Sequence, residues 1–433
     1  MKYWDEKHEC MDRKELERLQ LFRLQKTVAA AYQSVGPFRQ KMRDKGVLPG
    51  DVKTLEDIRL LPFMSKQDLR DYYPFALFGK PLSEIARIHA SSGTTGKPIV
   101  IGYTKNDLDI WSEVVARCLT MVGADKNDII QISYGYGLFT GGLGLHDGAG
   151  KIGAAVIPAS SGNSQRQIML MKDLGATVLC CTPSYALYLS ELLAEFGVKK
   201  EDLKLKYAVL GAEAWTSGMA REIEQRLGVS AHNIYGLTEV IGPGVAIECQ
   251  AGQGMHISED HFLVEVIDPE TEEVLPDGMT GELVFTCLTK EGTPTIRYRT
   301  RDLSKITKEK CSCGRTLARM DRIMGRSDDM LTIRGVNVYP SQIESVLLDM
   351  GQTSPNYHLV VDRVNNLDIL EVQMEIPGDL ALDGIRQLEA LAVGIRRKIE
   401  QTLGISCKVT LVEPRSLPRS EGKAKRVTDR RKM

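Results

Sequence analysis

Between residues 128 and 239 the chain alternates short apolar runs with segments of helical periodicity, and this alternation constrains the fold more than any other feature. The predicted strands are 129–133, 154–157, 177–181, 207–210 and 231–234. The predicted helices are 165–174, 183–196 and 217–227. This order is typical of a mainly parallel sheet with helices on its faces, whose ligands lie beyond the carboxyl ends of the strands.

The regions before this segment are less regular. Residues 12–34 have the spacing of a helix that Gly36-Pro37 ends, and a loop-rich segment follows to about residue 78. A second helix is predicted to begin after Thr104, because Thr is a good N-cap and Asp107 stands three residues later.

Two other patterns follow the parallel region. Strands at 262–268 and 282–286, joined through turn residues, predict an antiparallel, barrel-like β subdomain. From residue 331 the order β-α-β-β-α-β predicts a split βαβ unit, with elements at 331–333 (or on to 338), 341–350, 357–363, 368–376, 384–403 and 406–412. We therefore predict a multi-domain α/β fold with a large domain at 1–326 and a small, mobile α+β domain at 327–433.

One loop combines hydroxyls, glycines and a lysine: Ser91, Ser92, Gly93, Thr94, Thr95, Gly96 and Lys97, followed by Pro98. Glycines let a backbone approach an anion, hydroxyl and N–H groups donate hydrogen bonds, and lysine adds a charge. The pattern is not the phosphate loop of nucleotide hydrolases, which opens a helix, because β-type runs flank it on both sides. It predicts a phosphate clamp between two strands; a surface turn rich in Ser, Thr and Gly is the alternative.

Two further motifs offer groups that suit a nucleotide. Tyr235-Gly236-Leu237-Thr238-Glu239 follows a predicted strand, with an aromatic ring for adenine, a hydroxyl for a phosphate oxygen and a carboxylate for Mg²⁺. By itself an ordinary turn explains this motif about as well. Asp302 is a natural acceptor for two ribose hydroxyls, and an ion pair with Arg299 or Arg301 is the alternative.

A third region combines aromatic residues with glycines directly after a predicted strand. Its members Tyr134, Tyr136, Gly137 and Phe139 offer a slot for a flat apolar substrate. Packing of the tyrosines in the core is the alternative, and the residues alone leave it open.

The chain contains nine cysteines without a secretory signal, so reduced thiols are expected. The close pair Cys311 and Cys313 has a second pair, Cys249 and His256, upstream of it. Cys₃His is a standard closed tetrahedral zinc set, although this spacing differs from that of a zinc finger. A structural Zn²⁺ is therefore one interpretation, and incidental thiols are the other.

The loop at 91–98 and the motif at 235–239 resemble the two core motifs of the adenylate-forming superfamily, and the whole chain resembles its phenylacetate–CoA ligase family. The resemblance implies an enzyme that uses ATP, Mg²⁺ and coenzyme A. Such an enzyme activates an aryl acid such as phenylacetate as acyl-AMP, and then transfers the acyl group to coenzyme A. It also implies an aryl pocket at 134–142 and favours a zinc element at the cysteines.

The resemblance further implies a role for individual residues. Gly211, Ala212 and Glu213 flank the adenine, Asp302 binds the ribose, Arg326 reaches the nucleotide and Glu239 holds magnesium. In the C-terminal domain, Asp328 is the hinge, Arg334 and Gly335 approach the CoA channel, and Lys423 bridges the substrate carboxylate and the α-phosphate. Lys425 is the rival for the catalytic lysine.

Composition excludes several other classes. With 56 basic and 57 acidic residues the chain has no general attraction to nucleic acid or anionic membrane. No apolar run reaches the ~18 residues that span a bilayer, and the charged start is not a secretory signal, so we expect a cytoplasmic protein. A homodimer is the default for its oligomeric state. Two alternative functions stay open: an aryl-adenylating enzyme with an amine or carrier-protein acceptor, and a nucleotide-binding protein without turnover.

Overall fold

The computed structural model describes residues 2–91, 98–334, 336–350, 354–364, 367–376, 385–420 and 424–431. Its N-terminal segment is helical, with α1 (Glu6–Glu9), α2 (Arg13–Ser34), α3 (Gly36–Asp44) and α4 (Lys66–Asp71). The segment predicted as loop-rich to about residue 78 therefore contains two helices, α3 and α4, that were not predicted. Pro37 stands in the first turn of α3, where the N–H that proline lacks has no helical partner anyway.

An antiparallel hairpin and a long helix follow: β1 (Ile85–Ser91), β2 (Ile99–Thr104) and α5 (Lys105–Met121). The predicted capping box at the start of α5 is confirmed, since the Thr104 side chain accepts from the Asp107 N–H and Asp107 accepts from the Thr104 N–H. The buried Asp107 carboxylate also accepts the N–H groups of Glu291 and Gly292, at 2.7 and 2.8 Å. This one side chain therefore ties the hairpin to a distant loop.

The centre of the large domain is a sheet in which nine strands of the described chain take part. Its elements are β3 (Ile129–Ile132), α6 (Thr140–Lys151), β4 (Ala155–Ile157), α7 (Ser164–Asp173), β5 (Val178–Cys181), α8 (Pro183–Glu195), β6 (Tyr207–Gly211), α9 (Ser217–Leu227), β7 (Ser230–Leu237), β8 (Gly242–Glu248) and β9 (Met255–Ile257). The strands from β3 to β7 pair in parallel, as predicted, and β8 and β9 extend the sheet antiparallel to them. The mainly parallel arrangement places the ends of β6 and β7 side by side.

Helix α6 was not predicted: its start falls in the region 134–142 that was assigned to a substrate slot, and the rest of it was assigned to no element. Two of its glycines face α5: a Cβ on Gly144 would lie 2.3 Å from a ring carbon of Trp111, and one on Gly148 would lie 2.3 Å from Val115. Larger residues would therefore push the two helices apart. The same glycines that let α6 pack so closely also lower its helix propensity, which is why its sequence does not resemble a helix.

A second sheet of the large domain is antiparallel, as expected. It consists of β10 (Phe262–Ile267), β11 (Gly281–Cys287), β12 (Tyr298–Ser304) and β15 (Gly325–Arg326). Two short strands between β12 and β15, β13 (Ile306–Thr307) and β14 (Arg319–Met320), instead lie at the edge of the first sheet. Asp302 on β12 pairs directly with Arg326 on β15. The sheet therefore brings two predicted nucleotide-binding residues together.

The C-terminal lobe has a hydrophobic core of its own, built from residues between 331 and 407. Its elements are β16 (Leu331–Ile333), β17 (Val336–Val338), α10 (Pro340–Asp349), β18 (Tyr357–Val364), β19 (Leu367–Glu375), α11 (Ile385–Leu403), β20 (Lys408–Val412) and β21 (Val427–Asp429). The predicted role of the first strand is wrong, because β16 and β17 form a separate hairpin. The fourth strand of the lobe sheet is instead β21, which lies parallel to β18.

These parts make a mixed α/β, multi-domain fold with a large N-terminal domain and a small C-terminal one. Among the helices of the described residues, none combines the length and the hydropathy needed to cross a membrane.

Candidate active site

The predicted phosphate loop connects the two strands of the β1–β2 hairpin. Ser91 pairs with Ile99, and its buried Oγ has no hydrogen-bond partner in the described part of the chain. Ser92, Gly93, Thr94, Thr95, Gly96 and Lys97 lie outside the described residues. The flanks confirm that the loop joins two strands instead of opening a helix.

The turn after β7 is held by hydrogen bonds to its backbone. The Tyr103 hydroxyl donates to the Thr238 carbonyl at 3.1 Å, and the Thr295 hydroxyl donates to the Glu239 carbonyl at 2.8 Å. The Thr238 and Thr140 hydroxyls lie 3.2 Å apart, which links this turn to the start of α6. Because the main chain is fixed, the side chains of Thr238 and Glu239 leave it in defined directions.

Two residues predicted to contact the nucleotide converge on the carboxylate of a third. The Tyr235 hydroxyl donates to Asp302 Oδ2 at 2.7 Å, and Arg326 Nη1 donates to Oδ1 at 3.1 Å. Burial and the Asp302 charge raise the pKa of Tyr235 well above its ordinary value, so the phenol is a neutral donor. Both Arg299 and Arg301 pair with Glu282, at 2.8 and 3.3 Å. The ion pairs of Arg299 and Arg301 are thus with Glu282 and, for Arg299, also with Glu272, and the ribose role of Asp302 stays a prediction.

The segment at 211–213 ends β6 and lies next to β7. A Cβ on Gly211 would be 2.1 Å from the Ile234 carbonyl oxygen, so only glycine lets the strands approach this closely. Ala212 has a φ of +73°, which turns the chain sharply away from the sheet. The Glu213 carboxylate accepts the N–H of Ser184 at 2.7 Å and the N–H of Ala424 at 2.9 Å. This side chain therefore touches both the large domain and the C-terminal lobe.

The predicted aryl slot divides into a buried and an exposed part. The Tyr134 hydroxyl donates to the Cys181 carbonyl at 2.5 Å and accepts the Gly211 N–H at 2.9 Å, so Tyr134 supports the sheet. The Tyr136 hydroxyl lies 3.2 Å from His146 Nδ1. Gly137 has a φ of +121° and is exposed, and Phe139 is 52% exposed at the start of α6. Tyr134 thus packs in the core, as the alternative interpretation had it, while the substrate role of Tyr136, Gly137 and Phe139 stays a prediction.

The C-terminal lobe supplies the remaining predicted residues. Asp328 binds Arg326 through two hydrogen bonds of 2.8 and 2.9 Å. Arg334 is exposed and donates to the Ser406 carbonyl within the lobe. Gly335 and the predicted catalytic Lys423 lie outside the described residues, whereas the rival Lys425 is exposed.

The four predicted zinc ligands come together from two parts of the chain: Cys249 directly after β8 and His256 in β9, and the pair Cys311 and Cys313 in the turn between β13 and β14. The donor atoms of Cys249, His256, Cys311 and Cys313 all lie within 4.8 Å of one another. The Cys249 and Cys311 sulfurs are 3.9 Å apart, and Cys313 Sγ is 3.4 Å from His256 Nε2. Sulfurs on a tetrahedral zinc with Zn–S bonds of about 2.3 Å lie roughly 3.8 Å apart, whereas a disulfide needs about 2.05 Å. The donor set therefore fits a closed zinc site and not a disulfide.

Sequence reasoning missed Lys290, which lies behind the turn that carries Glu239. This lysine is 3% exposed, and its Nζ donates to the carbonyls of Glu239 and Val240 at 3.1 and 2.7 Å. The ammonium also lies 5.0 Å from the ring centroid of Tyr103. Burial lowers the pKa of Lys290. The segment around Lys290 is polar and contains a glycine, as surface loops do, so the sequence does not indicate that this lysine is buried behind the turn.

Sequence reasoning also missed His89, at the end of β1. Its Nδ1 donates to the Leu138 carbonyl at 3.0 Å, and the Ala90 N–H donates to the same carbonyl at 2.9 Å. Burial lowers the pKa of His89, which favours the neutral ring. The strand that leads into the phosphate loop is thereby attached to the aromatic slot. An isolated histidine in a strand gives no hint of this contact.

Comparison with known proteins agrees with this arrangement. A family model described as AMP-binding enzyme matches residues 79–287, and one described as AMP-binding enzyme C-terminal domain matches residues 335–431. The chain is 50% identical to phenylacetate-coenzyme A ligase of Thermus thermophilus over 98% of each chain. It is 48% identical to phenylacetate-coenzyme A ligase of Escherichia coli over 97% of this chain and 96% of the relative.

Solved structures of 2-hydroxyisobutyryl-CoA ligase are similar over nearly the whole chain. In the postadenylation state with 2-HIB-AMP the TM-score is 0.94 at 29% identity, covering 99% of this chain and 92% of that one. In the thioesterification state with 2-HIB-AMP and CoA the TM-score is 0.74 at 30% identity, covering 100% and 93%. The lobes of this protein are thus arranged as in the postadenylation state. From its close relatives, its two matching family models and the convergence on Asp302, the chain belongs to the phenylacetate–CoA ligase family of adenylate-forming enzymes.

Proposed function

We propose that this protein is an ATP-dependent aryl-CoA ligase that converts phenylacetate or a similar aryl acid to its CoA thioester through acyl-AMP. The observation that carries the proposal is the convergence of Tyr235 and Arg326 on Asp302, directly beside the turn that presents Thr238 and Glu239. These residues are far apart in sequence and are of the types that a nucleotide needs. The relatives named phenylacetate-coenzyme A ligase support the choice of acid.

In the first half-reaction a carboxylate oxygen of the acid attacks the α-phosphorus of ATP. The new O–P bond gives acyl-AMP, and the bond to pyrophosphate breaks in line with it. Because little covalent work is left to the protein, positioning and neutralisation of charge dominate such a step. We assign the loop 91–98 to the β- and γ-phosphates, Asp302 to the ribose hydroxyls, Tyr235 with the main chain of 211–213 to adenine, and Lys423 to the reacting oxygens.

The residues present fit a magnesium ion at the phosphates. Mg²⁺ prefers oxygen ligands, and it is usually held by one or two carboxylates together with substrate phosphates. Glu239 would hold it, with the Thr238 hydroxyl nearby. The bound ion would neutralise phosphate charge. Because Lys290 and Thr295 bind the Glu239 carbonyl, the main chain that carries the carboxylate is fixed before the substrate arrives.

In the second half-reaction the thiol of coenzyme A attacks the acyl carbonyl and AMP leaves. Lys423 is not needed for this step, so we assign the change between the steps to a rotation of the domain at 327–433 about Asp328. The rotation would bring Arg334 and Gly335 toward the thiol. The separate hydrophobic core of the lobe supports its movement as one body.

The acceptor and the acid are tested together in one assay. AMP formation is measured with ATP and a panel of aryl acids (phenylacetate, hydroxyphenylacetate, indoleacetate and benzoate), with and without coenzyme A. The proposal expects sustained AMP release only when coenzyme A is present, with phenylacetate among the best acids. Equal turnover without coenzyme A would favour an amine or carrier-protein acceptor. ATP binding without pyrophosphate release from any acid would favour a protein without turnover.

We also propose a structural zinc ion held by Cys249, His256, Cys311 and Cys313. Although burial opposes it, hydrogen bonds from His256 and Arg315 lower the pKa of Cys313 to about 5, which favours the thiolate that a metal needs. Four protein ligands would close the coordination shell, which is typical of a structural site. The metal would hold the turn at 311–313 against β9.

A further inference from the structure

The Glu213 carboxylate connects the two lobes of the molecule. One oxygen accepts the N–H of Ser184, in the first turn of α8, and the other accepts the N–H of Ala424 in the lobe. A carboxylate is favoured at a helix N-terminus, where the free N–H groups carry partial positive charge. The interaction with α8 fixes Glu213, and Glu213 in turn fixes the main chain at Ala424.

Residues next to Ala424 are anchored on the lobe side. The Leu359 N–H donates to the Arg426 carbonyl at 2.8 Å, at the point where β21 begins beside β18. Arg426 also lies 3.5 Å from Glu344 and 4.5 Å from the ring centroid of Tyr357. The Tyr357 hydroxyl donates to Glu344 at 2.8 Å. These contacts tie the segment 424–426 to the lobe, and Arg426 also lies 3.5 Å from Ser184 Oγ in the large domain.

We propose that Glu213 is a positioning residue for the first half-reaction, because it fixes the main chain directly after Lys423 to the large domain. The inference rests on the proposed role of Lys423. Ala424 follows Lys423 in the chain, so a hydrogen bond at its N–H restricts where a lysine side chain one residue earlier can reach. The same bond must break when the lobe rotates for thioester formation. Glu213 therefore favours adenylation over the second step.

The arrangement of the lobes agrees with this assignment. The contact exists in an arrangement that matches the postadenylation state of a related ligase, and the match is poorer for the thioesterification state. A role for Glu213 with adenine makes a different prediction. Loss of an adenine contact would weaken nucleotide binding, whereas loss of the contact to Ala424 would slow the step that needs Lys423.

The variant Glu213→Gln separates these roles. A carboxylate accepts two N–H groups, but a carboxamide has one oxygen, and its NH₂ group must oppose either Ser184 or Ala424. The side-chain volume is unchanged, so the fold should be kept. Glu224→Gln is the matched control, because Glu224 accepts the Ala231 N–H at 3.0 Å inside the large domain.

Three quantities are measured for each variant: the affinity for ATP, the kcat of pyrophosphate release, and the rate of thioester formation from presynthesised acyl-AMP. For Glu213→Gln we expect unchanged ATP affinity, a kcat of pyrophosphate release about tenfold lower or more, and thioester formation that is unchanged or faster. For Glu224→Gln we expect no change in any of the three.

Two results would overturn the inference: pyrophosphate release at the normal rate, or an equal loss in both half-reactions together with weaker ATP binding. Lys423→Ala is measured in parallel. If that variant releases pyrophosphate normally, the proposed role of Lys423 fails. If it loses pyrophosphate release while Glu213→Gln keeps it, only the role of Glu213 fails.

Discussion

Lys290 places a positive charge behind the turn that presents Thr238 and Glu239. The charge is bound by two backbone carbonyls and by the face of Tyr103, and such a cation–π contact is worth ~0.5–2 kcal/mol. These contacts stabilise the main chain of the turn. The backbone position of Glu239 is therefore set by buried residues.

The charge that acts directly on the reacting oxygens is assigned to Lys423. We expect Lys423→Ala to lower the rate of pyrophosphate release by a factor of about 10²–10³, as for other preorganised groups that stabilise developing charge. Thioester formation from presynthesised acyl-AMP should be kept. Both steps are measured separately, and Lys425→Ala is the matched control. If Lys425→Ala loses pyrophosphate release while Lys423→Ala keeps it, the two lysines exchange roles.

Among the elements, those with a regular pattern were predictable and those that depend on tertiary contacts were not. The parallel strands and the capping box at Thr104 follow from local periodicity and side-chain chemistry. Strand β21 is three residues long in a basic tail, and only its pairing with β18 makes it a strand. The candidate site shows the same contrast between local pattern and tertiary contact. The motif at 235–239 can be recognised in the sequence, whereas the positions of Lys290 and of the Glu213 contact between the lobes depend on packing.

Helix α6 provides a direct test of close packing between elements. In Gly144→Ala the new methyl group would overlap the Trp111 ring, so we expect a loss of stability of about 1–3 kcal/mol. The control is Gly150→Ala in the same helix, where a Cβ meets nothing within 4 Å. It should raise stability by about 0.5–1 kcal/mol through helix propensity. The midpoint of urea unfolding is compared, and equal shifts for both variants would contradict the packing argument.

The zinc element joins the turn at 311–313 to β9 and to the N-terminal segment. Arg315 binds Glu9 at 2.5 Å, and the Tyr3 hydroxyl donates to the Cys313 carbonyl at 3.1 Å. A metal that orders this turn should therefore also order residues 3–9.

We expect about one zinc per chain in gently purified protein, and a loss of zinc and of thermal stability in Cys311→Ser. Metal analysis and thermal unfolding measure the two effects. Cys407→Ser is the control, because Cys407 is a buried thiol of the C-terminal lobe and should leave the zinc content unchanged. Zinc near zero in the unaltered protein would contradict the site.

In the whole molecule, the large domain and the C-terminal lobe each have a hydrophobic core of their own, and both contribute residues to the proposed reaction. The large domain provides the carboxylates, the turns and the phosphate loop, and the lobe provides the segment that follows Lys423. The large domain and the lobe meet through polar and apolar contacts: Arg419 binds Glu191 at 3.0 Å, the Ala424 N–H donates to Glu213, and Leu348 of α10 packs against a hydrophobic cluster of the large domain. The polar contacts can be exchanged for water when the lobe moves. The cytoplasmic location and the homodimer stay predictions from the sequence.

The proposed hinge at Asp328 is the point where the rotation of the C-terminal lobe can be blocked. Proline fixes φ near −65°, so Asp328→Pro should restrict the rotation that the second half-reaction needs. Asp328→Ala is the matched control, because both variants lose the hydrogen bonds to Arg326 and only proline restricts the backbone. We expect pyrophosphate release within a few-fold of normal in both variants. Thioester formation from presynthesised acyl-AMP should fall by a factor of about 10² in Asp328→Pro alone, since a lid that cannot move limits the step that follows it. If both variants form thioester at the same rate, the pivot lies elsewhere in the chain.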